Sequence, residues 1–533
     1  LLLVFGLLSF ALSAVLVTSV VRAMMAEQLR EVGIMKAIGG TSSQIAGIAL
    51  TQVGLLAACA LAVALPAGMW AGRAYAGFSA GILNTDVSRS PFPLEVPLVV
   101  LVLGVAVPLL VALGPVRRAA RVTVAECMSD GPSPGLLSSL DRALSLFPGM
   151  PRPLALLLRG TFARRAQLAL GLALFSIAGA VFMAALNVGE DWRRSVREDF
   201  ARRPYDLMVT FEDRLAVADV RDLLSTVPAV TASECWPGSS PWLLGANGVA
   251  SVTSALVGPD SGSAMFRPRV IEGRGWERGD AQGVLVNQVV AKLAGGIHPG
   301  DSVRVRLRGR VLALPVAGIV RELAPMPVIY AAREVVLRAN GQSPDSTRNV
   351  RVALRAHSDA DQRAAVRAIE AECERRGITL GHVQRMEDAK QSILDHLVII
   401  LSILTLASAV VVFVGSLALA TTLTLGVVQR TREFAVMKAI GATPAMLARM
   451  VWLEGLLLGV AGWVLASLLT VPLSIALEQA CGRIFFQAPL DPYLWPGSNA
   501  IWLALVLPLS TLGSLVPARR AARLSVREAF ARD

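Results

Sequence analysis

Seven apolar runs, each about 20 residues or longer, determine what class of fold this chain can adopt, because a helix needs about 20 apolar residues to cross a bilayer. The chain of 533 residues is 54% hydrophobic and only 17% charged, whereas soluble domains carry about 25% charged residues. The sequence therefore predicts a multi-span α-helical membrane protein. The predicted spans are 1–22, 45–72, 96–114, 166–188, 396–426, 447–475 and 499–516.

An internal repeat relates the two ends of the chain. Arg30–Thr41 matches Arg432–Thr443 at eight of twelve positions, and Pro115–Glu126 matches Pro517–Glu528 equally well. Chance would give about one match in twelve. Because both pairs share an offset of 402 residues (Arg30 to Arg432), the sequence predicts two copies of one three-span unit, residues 1–131 and 403–533.

The repeat also predicts the order of domains. The second copy follows a span and a long polar stretch, so the first copy is expected to follow equivalents of both. We interpret the chain as truncated at its N-terminus, with eight spans in the whole protein. The predicted domains are 1–131, a first transmembrane repeat that lacks its N-terminal span and first outside domain; 132–165, a linker and elbow helix; 166–188, a transmembrane helix; 189–395, an outside domain; and 396–533, a second transmembrane repeat.

Basic residues predict the orientation, because Lys and Arg are retained on the cytoplasmic side of membrane spans. Nineteen of them lie on one side of the predicted spans, and only Arg73, Arg89 and Arg483 lie in short loops on the other side. The C-terminus is therefore expected in the cytoplasm and residues 189–395 outside. The net charge of the chain is +12. Outside one central block most of the basic residues flank spans, so nucleic-acid binding is not needed to explain this charge.

Residues 189–395 show the pattern of a mixed α/β domain, in which two split β-α-β units flank a β-rich insert at 240–345. A further helix over 386–430 starts with charged residues, continues with apolar ones and exceeds the length of a span, which predicts a stalk that projects outside. The predicted strands are 206–210, 228–235, 349–354 and 378–383, with 269–274, 283–287, 303–307 and 316–320 in the insert; the predicted helices are 213–225 and 358–376.

Each copy carries a short amphipathic segment between its first two spans. In the first copy Ile34, Met35 and Ile38 lie at helical spacing, Gly39 supplies a helix stop, and Thr41 supplies the N-cap of the next helix. Two such helices would give two similar docking surfaces that suit a two-fold partner. The alternative is a pair of membrane-surface helices that only anchor the connection.

These blocks resemble the FtsX-like permease family, the type VII ABC transporter superfamily that includes the MacB and LolC/LolE proteins. The residues that carry the resemblance are R-E-x-x-x-M-K-A-I-G after a span and P-x-R-R-A-A-R-x-x-V-x-E after the last span of each copy. The resemblance implies that 189–395 is a MacB-type periplasmic core domain. It also implies that 154–165 is an elbow helix, although any basic amphipathic segment before a span would look similar.

In that family the short segment is the coupling helix, which docks into a cytoplasmic ATPase. The departures between the two copies are small, with Gly40 opposite Ala442 and Ser42 opposite Pro444. Carried over residue by residue, the resemblance implies ATPase contacts from Arg30, Glu31, Met35, Lys36 and Gly39, and from Arg432, Glu433, Met437, Lys438 and Gly441.

The sequence contains no G-x-x-x-x-G-K-[ST] phosphate loop, so the chain is not expected to be an enzyme, and the ATPase is expected as a separate subunit in two copies. The four histidines lack metal-ligand spacing, and we expect no catalytic residue, metal or cofactor. Only Cys235 and Cys373 could pair. Gln52 and Glu454 occupy equivalent positions early in their spans. Each either has a functional role or only caps its helix.

The resemblance implies a permease subunit of an ABC transporter in the cell inner membrane, in which ATP hydrolysis moves outside domains (mechanotransmission). The work would be export or extraction of lipid, lipoprotein, peptide or a hydrophobic compound. Expected partners are the ATPase and the bilayer but not nucleic acid, and a periplasmic or outer-membrane partner stays open. The alternative is a non-transporting signalling or scaffold protein that senses a ligand outside. A channel-like transporter is a third reading, disfavoured because few charged residues would line its path.

Overall fold

The computed structural model describes residues 2–83, 95–122, 165–245, 248–276, 283–323, 326–487 and 491–523. These residues divide into a helical unit and an α/β unit. The helical unit comprises Leu1–Val188, Ile399–Ile475 and Leu494–Asp533, and the α/β unit comprises Gly189–Val398 and Ala476–Tyr493.

The first repeat folds as three long helices and one short helix, because its apolar runs are interrupted by the polar segment around Arg30 and Gly39. Prolines occur inside the long helices at Pro66, Pro108 and Pro115, where helices that cross membranes tolerate them. In chain order the helices are α1 (Leu2–Glu27), α2 (Leu29–Ala37), α3 (Ser42–Leu83) and α4 (Glu95–Arg121), followed by α5 (Arg165–Ala201).

The α/β unit contains thirteen described strands and four short helices between them. In chain order these elements are β1 (Leu207–Ala216), α6 (Val217–Ser225), β2 (Val230–Cys235), β3 (Gly238–Ser239), β4 (Trp242–Leu244), β5 (Ala250–Thr253), β6 (Ala255–Val257), β7 (Arg269–Gly273), β8 (Val284–Asn287), α7 (Gln288–Leu293), β9 (Ser302–Leu307), β10 (Arg310–Arg321), β11 (Val328–Tyr330), α8 (Arg333–Asn340), β12 (Ser346–Leu354), α9 (Asp359–Arg375) and β13 (Leu380–Arg385).

Two sheets organise these elements. The four-stranded sheet has the order β13-β1-β12-β2 with antiparallel pairing, and α6 and α9 pack on its apolar face around Phe211 and Ile369. The larger sheet has the order β3-β6-β11-β8-β10-β9-β4-β5, with β7 paired to β10. Its strand β9 alternates exposed and buried residues, so that Val303, Val305 and Leu307 enter the core.

The second repeat repeats the helix pattern of the first. Its helices are α10 (Met386–Gln429), α11 (Thr431–Ala439), α12 (Pro444–Cys481), which ends in a π-helical turn (Gly482–Phe486), and α13 (Pro496–Arg523). The two repeats meet where Tyr75 Oη on α3 donates to the Ile399 carbonyl on α10 at 2.7 Å. Equivalent positions form equivalent cores, since Met25, Ala49 and Val116 pack together in the first copy, as do their counterparts in the second, Val427, Val451 and Ala518.

The predicted fold class is confirmed, and three details differ from the expectations. Within the described residues six helices are long and apolar enough to span a membrane. The predicted first span, in α1, is not among them, because its apolar stretch Ser9–Arg22 is shorter. Strand β1 extends beyond the predicted 206–210 because, after a bulge, Leu215 and Ala216 pair with β12. Cys235 and Cys373 are both free thiols. The predicted linker and elbow helix lie outside the described residues, except for Arg165.

Candidate functional site: the paired short helices

The short helices α2 and α11 are each bounded by the same local signals. Gly39 and Gly441 follow them with φ of +99° and +105°, a backbone conformation that glycine adopts without strain. Thr41 then caps α3, because its Oγ1 accepts from the Gln44 amide at 3.4 Å while its own amide donates to Gln44 Oε1 at 2.9 Å. Thr443 caps α12 in the second copy through the Met446 amide at 3.3 Å.

One face of each short helix is buried against its own repeat. In the first copy Val32 is buried beside Ile45 and Ala120, with Met35 partly buried in the same cluster. In the second copy Phe434, the counterpart of Val32, is buried beside Leu447. Burial of apolar side chains on this face fixes which residues of each helix remain available to a partner.

The two lysines at equivalent positions of the repeats hold the short helices to the last helix of their own repeat. Lys36 Nζ donates to the Val122 carbonyl at 2.6 Å, just beyond the end of α4. Lys438 Nζ donates to the Ala522 carbonyl at 3.3 Å, in the last turn of α13. A cation is favoured at a helix C-terminus, where carbonyls lack intrahelical partners. Both lysines therefore position the short helices.

The opposite face of each short helix is exposed and apolar. Ile34 and Ile38 are 57% and 82% exposed, and their counterparts Val436 and Ile440 are 45% and 81% exposed. Each pair is separated by four residues and lies on one side of its helix. The near-equal exposure of Ile38 and Ile440 shows that the two copies present the same apolar tip.

Charged residues flank these apolar tips. Glu31 and Glu433 are exposed in both copies, and Arg432 is exposed in the second. Arg30 lies within α2 by its backbone. Gly39 and Gly441 are exposed at the turns, whereas Met35 and Met437 are partly buried.

The resemblance therefore led to a set of residues of mixed exposure, and it left out Ile34, Ile38 and their counterparts. Their recurrence at four-residue spacing in both copies was the signal that could have added them.

The second copy has an ionic network built on two positions at which the first copy has glutamines. Arg430 is buried, and its Nε donates to Glu433 Oε2 at 2.8 Å while its Nη1 lies 3.6 Å from Glu454 Oε2. Its guanidinium also lies 5.2 Å from the Phe434 ring centroid. At the positions equivalent to Arg430 and Glu454, the first copy has Gln28 and Gln52. Glu454 is thus part of the support of α11.

Comparison with known families separates the helical and α/β parts of the chain. The FtsX-like permease C-terminal model matches residues 3–124 and 405–526, and the MacB-like periplasmic core domain model matches residues 170–372. The chain carries two FtsX-like permease regions. Each matched permease stretch contains one short helix, and this permease is a multi-pass membrane protein with an extracytoplasmic domain.

Individual relatives of the permease cover parts of it. The ABC transporter permease YtrF of Bacillus subtilis (strain 168) is 24% identical over 139 residues, which is 24% of this chain and 32% of that relative. The periplasmic region of MacB from Actinobacillus actinomycetemcomitans is 16% identical, covers 37% of this chain and 97% of its own, and gives a TM-score of 0.26. The extracellular domain of YknZ, a noncanonic ABC-type transporter from Gram-positive bacteria, is 17% identical, covers 34% and 98%, and gives 0.25.

Proposed function

We propose that this chain is the transmembrane subunit of an ABC complex and that a separate cytoplasmic ATPase binds α2 and α11, one ATPase copy at each. The observation that carries the proposal is the matched pair of apolar tips at Ile38 and Ile440, 82% and 81% exposed. A large exposed apolar side chain at the end of a short, anchored helix is the kind of residue that fills a pocket on a partner. Two equivalent tips suit two copies of one partner.

The distribution of basic residues supports the orientation in this proposal. Nineteen Lys and Arg side chains lie on the side of the short helices and three lie in the short loops of the other side. The short helices and the C-terminus would then face the cytoplasm in a cell inner membrane. Membrane-surface helices that only anchor the connection would place these tips in the lipid interface, and they would leave ATPase binding independent of Ile38 and Ile440.

The long helices support a mechanical role. Helix α10 has 44 residues and α5 has 37, whereas a span needs about 20. Each runs without interruption between the helical unit and the α/β unit, so both can carry motion from ATP hydrolysis to the extracytoplasmic domain. Export or extraction of a lipid, lipoprotein, peptide or hydrophobic compound is the function that we infer.

The test is ATP hydrolysis by the full chain co-purified with a candidate ABC ATPase. The variant Ile38→Asp plus Ile440→Asp places two charges where apolar contact is proposed, and Val311→Asp, 55% exposed on β10, is the matched control. We expect the double variant to lose both co-purification and stimulated turnover, and the control to retain both. Glu31→Lys plus Glu433→Lys tests the flanking charges in the same way.

Normal binding and turnover in the Ile38→Asp plus Ile440→Asp variant would remove the assignment of these helices. If no ABC ATPase binds the wild-type chain, the permease proposal fails, and a sensor or scaffold that passes a signal through the same helices takes its place.

A further inference from the structure

A cleft in the α/β unit combines aromatic and arginine side chains. It is open to solvent and lies between the segment that follows α5, the segment that precedes β7, and β11. We call it the arginine–aromatic cleft. The residues on which the argument rests are Arg202, Trp236, Phe266, Arg267, Glu322 and Tyr330.

The aromatic side of the cleft is a continuous surface. The Phe266 ring lies 4.7 Å from Tyr330 and 5.9 Å from Trp236, measured between centroids. Trp236 and Phe266 belong to a small cluster, separate from the cores of the two sheets, that also contains Met265 and Met386. Methionine side chains adapt to irregular shapes, so this wall can accept an apolar body without disturbing either sheet core.

The charges on the floor of the cleft are already satisfied. Arg203 forms ion pairs with Asp199 at 3.0 Å and Glu322 at 3.6 Å, and Tyr330 Oη donates to Glu322 at 2.5 Å. Burial raises the pKa of Glu322, and the Arg203 guanidinium opposes that rise. Burial works to lower the pKa of Arg203, but the two carboxylates outweigh it and raise that pKa. The floor is therefore a fixed platform.

The rim of the cleft carries the charge that the floor does not neutralise. Arg202 and Arg267 are exposed, and within the described part of the chain neither has an ion-pair or hydrogen-bond partner for its side chain. Arg269 and Arg321 both pair with Asp491 instead. Arg203, Arg269 and Arg321 thus each form an ion pair with a carboxylate, whereas Arg202 and Arg267 carry exposed charge on the rim.

We propose that the arginine–aromatic cleft binds an amphiphile that has a phosphate head and an apolar body. The Arg202 and Arg267 guanidiniums would donate to the phosphate oxygens, and the body would lie along Phe266 and Tyr330. Planar guanidinium groups match phosphate oxygens, and aromatic faces bury apolar surface. A neutral apolar ligand would leave both rim arginines unused, and a free phosphate ion would leave the aromatic wall unused.

This inference rests on the proposed function only where it treats the amphiphile as cargo. Binding of the amphiphile at the cleft needs no ATPase. The test is native mass spectrometry of the full chain in detergent, with four probes offered separately. They are short-chain phosphatidylglycerol, short-chain phosphatidylcholine, glycerol phosphate and inorganic phosphate. Arg202→Ala plus Arg267→Ala is the test variant, and Arg306→Ala plus Arg310→Ala is the matched control, because both of its arginines are exposed and lie outside the cleft.

We expect the wild-type chain to retain one more phosphatidylglycerol molecule than the rim variant retains. Phosphatidylglycerol should bind the variant roughly tenfold more weakly, because the hydrogen bonds between the two guanidinium groups and the phosphate are lost. The control should match wild type. Phosphatidylcholine, whose trimethylammonium group is repelled by the rim, should bind more weakly. Equal retention by the rim variant and wild type, or equal loss in the control, overturns the site.

Retention of glycerol phosphate or inorganic phosphate as strong as that of phosphatidylglycerol overturns the amphiphile assignment. Separate measurement of ATPase stimulation keeps these results distinct from the proposed function, because a permease can bind its ATPase whether or not this cleft binds lipid.

Discussion

The two repeats of the permease present nearly the same short helix but support it differently. In the first repeat Lys36 anchors α2, and its Nζ lies 2.6 Å from the Val122 carbonyl oxygen. In the second, the equivalent lysine bond is 3.3 Å long, and the buried Arg430 adds contacts to Glu433 and Glu454. The exposed tips remain alike although the contacts that support them differ.

The faces of the repeats away from the short helices also differ. In the second repeat α5 packs so closely on α13 that a Cβ added at Gly179 would lie 2.4 Å from the Trp502 ring. The first repeat has an open apolar groove between α1 and α4 that includes Ser13 and Gly104. Their equivalents, Gly415 and Val506, are the positions that α5 covers in the second repeat.

The largest expected effect on stability comes from breaking the ionic network of Arg430, Glu433 and Glu454 in the second repeat. Arg430→Gln removes the guanidinium that lies 3.6 Å from the Glu454 carboxylate, which is 13% exposed, and should cost about 3 kcal/mol. Arg430→Gln plus Glu454→Gln copies Gln28 and Gln52 of the first repeat and should cost about 1 kcal/mol. Thermal unfolding of the full chain in detergent measures both.

Arg432→Gln, which changes an exposed arginine on the same helix, is the control and should leave the melting temperature unchanged. A double variant that is no more stable than Arg430→Gln alone would show that the two repeats do not use interchangeable solutions at this position.

The second prediction concerns the covered face. Gly179→Val forces a side chain into the Trp502 ring, which is fully buried, and should destabilise the chain by about 2 kcal/mol. Gly77→Val in the first repeat makes the same change where nothing lies within 4 Å of the added Cβ. Any shared cost of valine in a helix cancels between the two variants. Equal melting temperatures would contradict the close packing of α5 on α13.

Sequence alone predicted the helical class, the repeat and most strands of the extracytoplasmic domain, because these depend on apolar periodicity and on identities at a fixed offset. It could not predict that Lys36 and Lys438 bind carbonyls of their own repeat, since that contact joins residues 86 and 84 positions apart. The charge network of Arg430 was equally hidden, because a buried arginine beside a span looks like any basic residue that flanks the membrane. The sequence pattern does not specify the direction in which these side chains point.

The third prediction compares the lysine anchors. Lys36→Met keeps the length of the side chain but removes the bond to Val122, and should cost about 1.5 kcal/mol. Lys438→Met should cost only about 0.5 kcal/mol, because its bond to Ala522 is longer and Arg430 holds the same helix. Thermal unfolding in detergent tests the difference. If Lys438→Met is the more damaging, Arg430 is not the principal anchor of α11.

The smallest expected effect on stability separates support of the short helices from contact with a partner. Glu433 is 60% exposed, so Glu433→Gln removes only a surface ion pair to Arg430 and should cost about 0.5 kcal/mol or less. Glu31→Gln, at the equivalent exposed position, should cost no more.

If both glutamates contact an ATPase, the two variants should weaken co-purification alike while their melting temperatures stay close to that of wild type. Loss of ATPase binding in the Glu433 variant alone would contradict this expectation. It would mean that Arg430, without its surface partner, reorients α11, and that the ATPase depends differently on the two short helices.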